Sequence, residues 1–211
     1  MPGGSVREVP TPPPFTEADL TPDPLDLLAR WLAEAQATGM VDPNAMTVAT
    51  AGADGRPSAR TVLLRRADAE GLRFYTNRES LKGRQIAENP RAQILFFWRE
   101  LGRQIFVHGP IEPTTDADSD AYYAGRDRRS RVGAWASRQG TPLASRDELL
   151  AANARYDAQY PGDDVPRPPY WGGYVVQPDA IEFWQAGEFR LHDRFVYVRD
   201  GDGWRTERLS P

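Results

Sequence analysis

The sequence contains no cysteine and only two histidines, His108 and His192. The missing cysteine excludes disulfides, iron–sulfur ligation and thiolate nucleophiles. Together the two scarcities exclude zinc sites built on cysteine or on HExxH. Two histidines could still serve a triad or a His/carboxylate metal site, but no nucleophile–base pair and no metal-ligand spacing accompanies either one. Lysine is almost absent: of 26 basic residues only Lys82 is a lysine. Acidic residues outnumber basic ones by 30 to 26, a net charge of −4, so neither nucleic acid nor an anionic membrane surface is an expected partner. No apolar run approaches the roughly 20 residues of a membrane span. The start of the chain lacks the basic and apolar segments of a signal peptide, and the expected compartment is the cytoplasm. GxGxxG, GxxxxGK[ST] and internal repeats are also missing, which leaves Rossmann and P-loop cradles unsupported.

What is present suffices for one folded domain: 211 residues, 40% of them hydrophobic and 10% aromatic. With so few reactive side chains, any difficult redox chemistry has to be carried by a cofactor. Residues 1–22 are rich in proline and read as a flexible arm, and 23–211 read as a single domain. Asp23 and Pro24 open a helix with Leu25, Leu28, Leu32 and Ala35 as its apolar stripe, ending at Gly39. From Ala45 the period changes to two. Strands are expected at 46–50, 58–65, 72–76, 92–98, 104–111, 171–176, 180–185, 193–199 and 204–208. A short helix from Ser80 must stop before Pro90, and helices fill 115–160. Short turns, no βαβ alternation and helices bunched in the middle predict a mainly β protein: an antiparallel barrel with peripheral helices.

Three constellations carry the chemistry. The first lies in Ile181 to Phe195, where Arg190, His192 and Arg194 would share one strand face beside Trp184, a surface suited to an anion or an electron-rich ring. The alternative is a surface strand of mixed charge. The second joins Arg60 to Arg65 (RTVLLR) with Phe74 to Asn77 (FYTN), Ser80 and Lys82. A helix start with hydroxyls and one ammonium makes a phosphate site, or else merely a capped helix with a solvated lysine. Strict alternation puts Arg60 and Val62 on one face and Arg65 on the other, a conflict that a bulge, a strand end or a site shared between subunits would remove. The third is Tyr122, Arg126 and Ser130 at i, i+4 and i+8, a second phosphate clamp or a solvent-facing basic ridge. His108, alone in its strand, reads as structural.

Taken together, DPNAM (Asp42 to Met46), RTVLLR, FYTN, GRQ (Gly102 to Gln104), GAWAS (Gly133 to Ser137), WGG (Trp171 to Gly173), EFW and RLHDR resemble the pyridoxine/pyridoxamine 5′-phosphate oxidases, from about Pro22 to Pro211. The resemblance implies an FMN-binding split β-barrel, a homodimer with two FMN sites at the subunit interface, and oxidation of a phosphorylated pyridine by oxygen with release of peroxide. It also implies roles for residues. Arg60, Lys82, Tyr75 and Thr76 would meet the flavin phosphate, with Val62 and Arg65 in the same layer. Gln104, Gln139, Trp184 and Arg194 would hold the ring system and ribityl chain. Arg65, Tyr122, Arg126 and Ser130 would take the substrate phosphate. Arg190 and His192, as catalytic residues, would cover the pyridine ring, with Asp42 nearby. No metal is implied. Four features depart from the family pattern: Arg65 in place of the usual lysine, Leu81 in place of an arginine, Gly140 in place of a serine, and an arm without the Arg-x-x-Tyr lid motif. Leu81 and the WRE at Trp98 to Glu100 lean toward the related flavin oxidases of phenazine biosynthesis. Retention of Tyr122, Arg126 and Ser130 leans back.

Overall fold

The computed structural model describes residues 12–211. Helix α1, Pro24–Ala37, starts where Asp23 accepts the Leu25 amide at 2.8 Å and proline fills a position whose N–H would have no partner. Its buried line is Leu27, Leu28, Trp31 and Ala35, whereas Leu25 and Leu32, expected on the stripe, lie at the margins. The indole of Trp31 sets that rotation: it sits 5.1 Å from the Phe15 ring and 5.2 Å from the Phe183 ring, and burying it outweighs either leucine.

The strands are β1 Ala45–Ala51, β2 Pro57–Leu63, β3 Arg66–Asp68, β4 Gly71–Asn77, β5 Arg91–Trp98, β6 Arg103–Pro113, β7 Trp171–Val176, β8 Ala180–Gln185, β9 Asp193–Asp200 and β10 Gly203–Arg208. All pairings are antiparallel, in the order β10-β9-β8-β6-β5-β1-β2, with a branch β6-β7-β4-β3. The long β6 makes the branch possible. It pairs with β8 from Arg103 to His108, then with β7 from Ile111 to Pro113, so one strand serves both wings and the sheet curls into a split barrel. The alternation places Met46, Val48, Ile94, Phe96, Ile105, Val107, Phe183 and Phe195 inside. The outer face carries an apolar patch, with Leu95, Phe106 and Val196 partly buried and Phe97 59% exposed, beside the polar Gln93, Gln104, Glu182 and Arg194.

Helices α2 (Leu81–Glu88), α3 (Asp116–Ala124), α4 (Arg128–Ala136) and α5 (Arg146–Gln159) lie outside the sheet. The start of α2 is pressed against the preceding turn: a Cβ on Gly83 would lie 1.8 Å from the Arg78 carbonyl oxygen, so only glycine fits. None of the helices among the described residues is long and apolar enough to cross a membrane.

Of the arm expected over 1–22, residues 1–11 lie outside the described residues. The remainder is not free of the domain. Phe15 is buried in the core beside Trp31 and Phe195, and a 3-10 turn follows at Glu17–Asp19. One large aromatic in an otherwise proline-rich stretch docks it, together with hydrogen bonds from the Phe15 amide to Asp193 and from Gln185 to the Pro13 carbonyl.

Candidate functional site

A cavity of about 710 Å³ opens between β2, the end of β4 and the starts of α2 and α4. Arg60, Val62 and Arg65 reach it from the RTVLLR segment, Tyr75, Thr76 and Lys82 from β4 and α2, and Tyr122, Arg126, Ser130 and Gln139 from the helical region. Segments far apart in the chain therefore converge on one wall. The conflict between Arg60 and Arg65 disappears because β2 ends at Leu63. The Leu64 amide then bonds the Asn44 carbonyl at 2.8 Å and the Arg65 amide bonds the Arg73 carbonyl at 2.9 Å. The strand end lets both arginines face the same space.

Lys82 sits at one end of the cavity, only 6% exposed. Its ammonium donates to Gln139 Oε1 at 2.9 Å, Thr76 Oγ1 at 3.0 Å and Ser80 Oγ at 3.2 Å, all neutral acceptors. Burial, with the charge of Arg60 adding to it, pushes its pKa down to about 8. Arg60 donates to Thr50 Oγ1 at 2.7 Å, Ser58 Oγ at 2.5 Å and the Val48 carbonyl at 3.1 Å, and burial lowers its pKa as well. Gln85 ties this end together by accepting from both Thr50 and Ser58 at 2.6 Å. Sequence reasoning missed Gln85 and Ser58. Gln85 lies three residues after Lys82 on the buried side of α2, which was the available signal.

At the other end Arg126 lies over the rings of Trp171 (4.7 Å) and Tyr123 (5.6 Å). Its Nη1 is buried without a hydrogen-bond partner, and burial lowers its pKa. The Tyr122 ring stacks on Tyr75 at 3.8 Å, nearly parallel, and Arg65 approaches the Tyr122 face at 5.7 Å. The Tyr75 hydroxyl donates to Asp118 at 2.7 Å; burial, followed by that carboxylate, pushes its pKa well above the ordinary phenol value. Trp171, quoted within a motif but not expected as a site residue, also lines the wall. Among the described residues, Arg60, Arg65, Lys82 and Arg126 form no ion pair with any carboxylate, although acids elsewhere pair readily with arginine. Four cations without counter-charge, one with an orphaned buried N–H, fit a ligand carrying anionic groups at two places, as a phosphorylated flavin with a phosphorylated substrate would.

The other expected residues do not line this cavity. Gln104, Trp184 and Arg194 form a cross-strand row on the outer sheet face, through the register Gln104↔Trp184↔Arg194. The His192 ring lies 4.6 Å from the Trp184 ring. Arg194 is already engaged, donating to Glu182 Oε1 at 2.8 Å and to the Ser210 carbonyl at 3.0 Å. The expectation that Arg190, His192 and Arg194 share a strand face is corrected. Residues Glu188–Arg190 form a 3-10 turn, Phe189 and Arg190 have φ of 53° and 65°, and β9 begins only at Asp193. Gly187 permits this winding, because a Cβ there would lie 1.9 Å from the Leu191 carbonyl oxygen. Its amide donates to His192 Nδ1 at 3.1 Å. Asp42 stands in an exposed loop before β1, at φ 50°, with neither group.

The split barrel and its anion-accepting cavity are those of a family of FMN-dependent oxidases, as the comparisons with known proteins show. Residues 32–160 match the pyridoxamine 5′-phosphate oxidase family, and residues 171–211 match the pyridoxine 5′-phosphate oxidase C-terminal dimerisation region. The pyridoxine/pyridoxamine 5′-phosphate oxidase of Rubrobacter xylanophilus is 52% identical over 93% of this chain and 91% of its own length. That of Myxococcus xanthus strain DK1622 is 53% identical over 91% and 93%. Among solved structures, PhzG from Burkholderia lata 383, in complex with tetrahydrophenazine-1-carboxylic acid, superposes with a TM-score of 0.89 at 37% identity, covering 95% of this chain and 99% of that one. The chain belongs to the pyridoxine/pyridoxamine 5′-phosphate oxidase family.

Proposed function

We propose that the protein oxidises pyridoxine 5′-phosphate and pyridoxamine 5′-phosphate to pyridoxal 5′-phosphate, with oxygen as acceptor and hydrogen peroxide as product. The amine substrate additionally consumes water and releases ammonia. The observation that carries this reading is the Tyr122, Arg126 and Ser130 ridge facing the cavity, with the buried Arg126 Nη1 unpartnered. A ring substrate without a phosphate would leave that guanidinium buried and unanswered, an arrangement costing about 1–3 kcal/mol or more for a charged group.

In this reading Arg60, Lys82, Thr76 and Gln139 hold the flavin phosphate, with Tyr75, Val62 and Arg65 lining the same wall. Bound FMN supplies the hydride acceptor for the substrate C4′ carbon and passes the electrons to oxygen. Arg65, Tyr122, Arg126 and Ser130 hold the substrate phosphate, which fixes the pyridine ring in one orientation. Gln104, Trp184, Arg194, Arg190 and His192 serve the cavity of a second copy of the chain, in a homodimer joined across the apolar patch of the outer face. The dimerisation-region match and the exposed Phe97 support that arrangement. Arg190 and His192 then cover the ring and exclude water, while His192 Nδ1, which accepts from the Gly187 amide, leaves Nε2 as the nitrogen free for substrate.

Leu81 on the cavity wall favours a second reading, oxidation of a dihydrophenazine-type ring. Oxygen uptake with pyridoxine phosphate, pyridoxamine phosphate and a reduced phenazine, measured side by side on the FMN-loaded protein, separates the two. Turnover of the phosphates supports the first reading, and turnover of the phenazine alone overturns it.

A further inference from the structure

The loop that carries Arg190 and His192 is closed by one cross-strand pair, Gln185 at the end of β8 opposite Asp193 at the start of β9. Both side chains point away from the loop's outer face, and both are tied to the arm. Gln185 is almost fully buried. Its Nε2 donates to the Pro13 carbonyl at 2.7 Å, while its Oε1 accepts from Arg103 Nε at 2.9 Å. Asp193 Oδ2 accepts the Phe15 amide at 3.0 Å, and its Oδ1 accepts from Arg208 Nη1 at 2.8 Å. Arg208 also holds Glu17 through Nε at 2.9 Å and lies 4.3 Å from the Phe195 ring. The Phe15 side chain completes the attachment by packing edge-on against Phe195 at 5.1 Å.

Between these feet, among the described residues, the loop is tied to the rest of the sheet by the Ala186 amide on the Gly102 carbonyl at 2.8 Å and by the His192 ring against Trp184, its other bonds being internal. Phe189 is 90% exposed and Leu191 70% exposed, and two consecutive non-glycine residues carry positive φ, a conformation that L-residues adopt only under constraint. Two backbone groups of the arm, the Pro13 carbonyl and the Phe15 amide, therefore grip both feet of a wound, exposed loop. We propose that Pro13–Phe15, Gln185 and Asp193 act as a clasp that positions Arg190 and His192. The arm segment would then be a positioning element for the reaction, although it contributes no residue to the cavity. The catalytic consequence rests on the function proposed above; the mechanical one does not.

Two variants of the full-length, FMN-loaded protein test it. Asp193→Ala removes the acceptor for the Phe15 amide and the partner of Arg208. If that variant fails to fold, Arg208→Ala, which loosens Asp193 and Glu17 from a surface position, takes its place. Hydrogen–deuterium exchange of peptides covering 186–192 is the primary readout. Loss of a charge-assisted bond restraining a local opening should speed their exchange by about tenfold, with 180–184 and 195–199 unchanged. With FMN retained, KM for pyridoxamine phosphate should rise and kcat fall together by a similar factor, because the loop then spends less time in its closed form. Unchanged exchange in 186–192, or exchange accelerated equally throughout β8 and β9, overturns the clasp. Failure of the parent to oxidise the B6 phosphates would overturn the functional reading alone, since the exchange measurement does not depend on substrate.

Discussion

Flavin binding should depend on pH through Lys82, and the structure gives the sign and the size. In the free protein burial holds the Lys82 ammonium at a pKa of about 8 among neutral acceptors. A phosphate monoester has its second pKa near about 6, so the ligand is a dianion throughout the range above neutrality. The dianion favours the protonated lysine, and binding therefore draws the pKa back up and takes up a proton wherever the free protein has lost it. At pH 7 about nine-tenths of the lysine is already charged, and little proton uptake is needed. At pH 9 only about one-tenth of the lysine is charged, so FMN affinity should fall by about tenfold between pH 7 and pH 9, roughly 1.4 kcal/mol. Fluorescence titration of FMN into the apoprotein measures the fall. Calorimetry in two buffers of different ionisation enthalpy should show proton uptake approaching one at pH 9 and near zero at pH 7. Lys82→Met should bind FMN more weakly and lose the slope, whereas Lys82→Arg should lose the slope because a guanidinium stays charged. An FMN affinity constant within twofold across this range, or a slope that survives in Lys82→Met, would refute the assignment of Lys82 to the phosphate.

The same lysine makes the apoprotein more stable as pH rises from about 8 toward its unfolded value near 10.4, because the unfolded chain holds more protons there; denaturant midpoints at fixed salt check the direction. Arg126→Ala should raise KM for pyridoxamine phosphate by roughly 30- to 150-fold, the equivalent of about 2–3 kcal/mol for a charge-assisted contact, with FMN affinity unchanged. Arg190→Ala and His192→Ala should cut turnover far more than flavin retention, and equal losses of both would mean the residues touch the flavin instead. Trp31→Ala should cost about 3–5 kcal/mol in urea unfolding, since its indole joins α1 to both Phe15 and Phe183. Phe97→Asp, on the exposed outer face, should shift the protein to monomer in sedimentation and lower activity with it.

Part of this site was legible where its residues sit in regular elements whose period fixes direction. Tyr122, Arg126 and Ser130 were expected on one continuous helical face; the helix is instead broken, with Arg126 in the turn between α3 and α4, and it is that turn, not the helical period, that brings all three to the cavity. Arg60 and Val62 were expected to share a strand face, and they do. What failed was local, where backbone geometry departs from a period. Nothing in Phe189 and Arg190 announces their two positive φ values, because the winding is set by Gly187 and by the feet at Gln185 and Asp193. The rotation of α1 was missed for a different reason: the apolar stripe took in Leu25 and Leu32 and left out Trp31, while packing is decided by the largest ring and what it touches. Gln85 and Ser58 were missed because a buried polar network is specified mainly by three-dimensional neighbours, the three-residue spacing of Gln85 from Lys82 being the one clue in the sequence.

The distribution of charge also explains why losses at one end of the cavity need not abolish flavin binding. Leu81 removes an arginine that the resemblance would place at the phosphate, and Gly140 a serine next to Gln139, yet the remaining groups proposed to hold the phosphate are pre-set. Arg60 is held by Thr50, Ser58 and the Val48 carbonyl, and Lys82 by Thr76, Ser80 and Gln139. Cations already fixed in place lose little rotamer entropy when an anion arrives, and in a buried setting each contact is stronger than at the surface. Restoring the missing charge with Leu81→Arg should therefore strengthen FMN binding by no more than about tenfold, the scale of one added charge-assisted contact at a half-exposed position. Its side chain is 48% exposed, so the new guanidinium would reach the ligand from solvent and its gain should fade in high salt. A gain of a hundredfold or more that persisted at high salt would mean that Arg60 and Lys82 are not the principal grip on the phosphate.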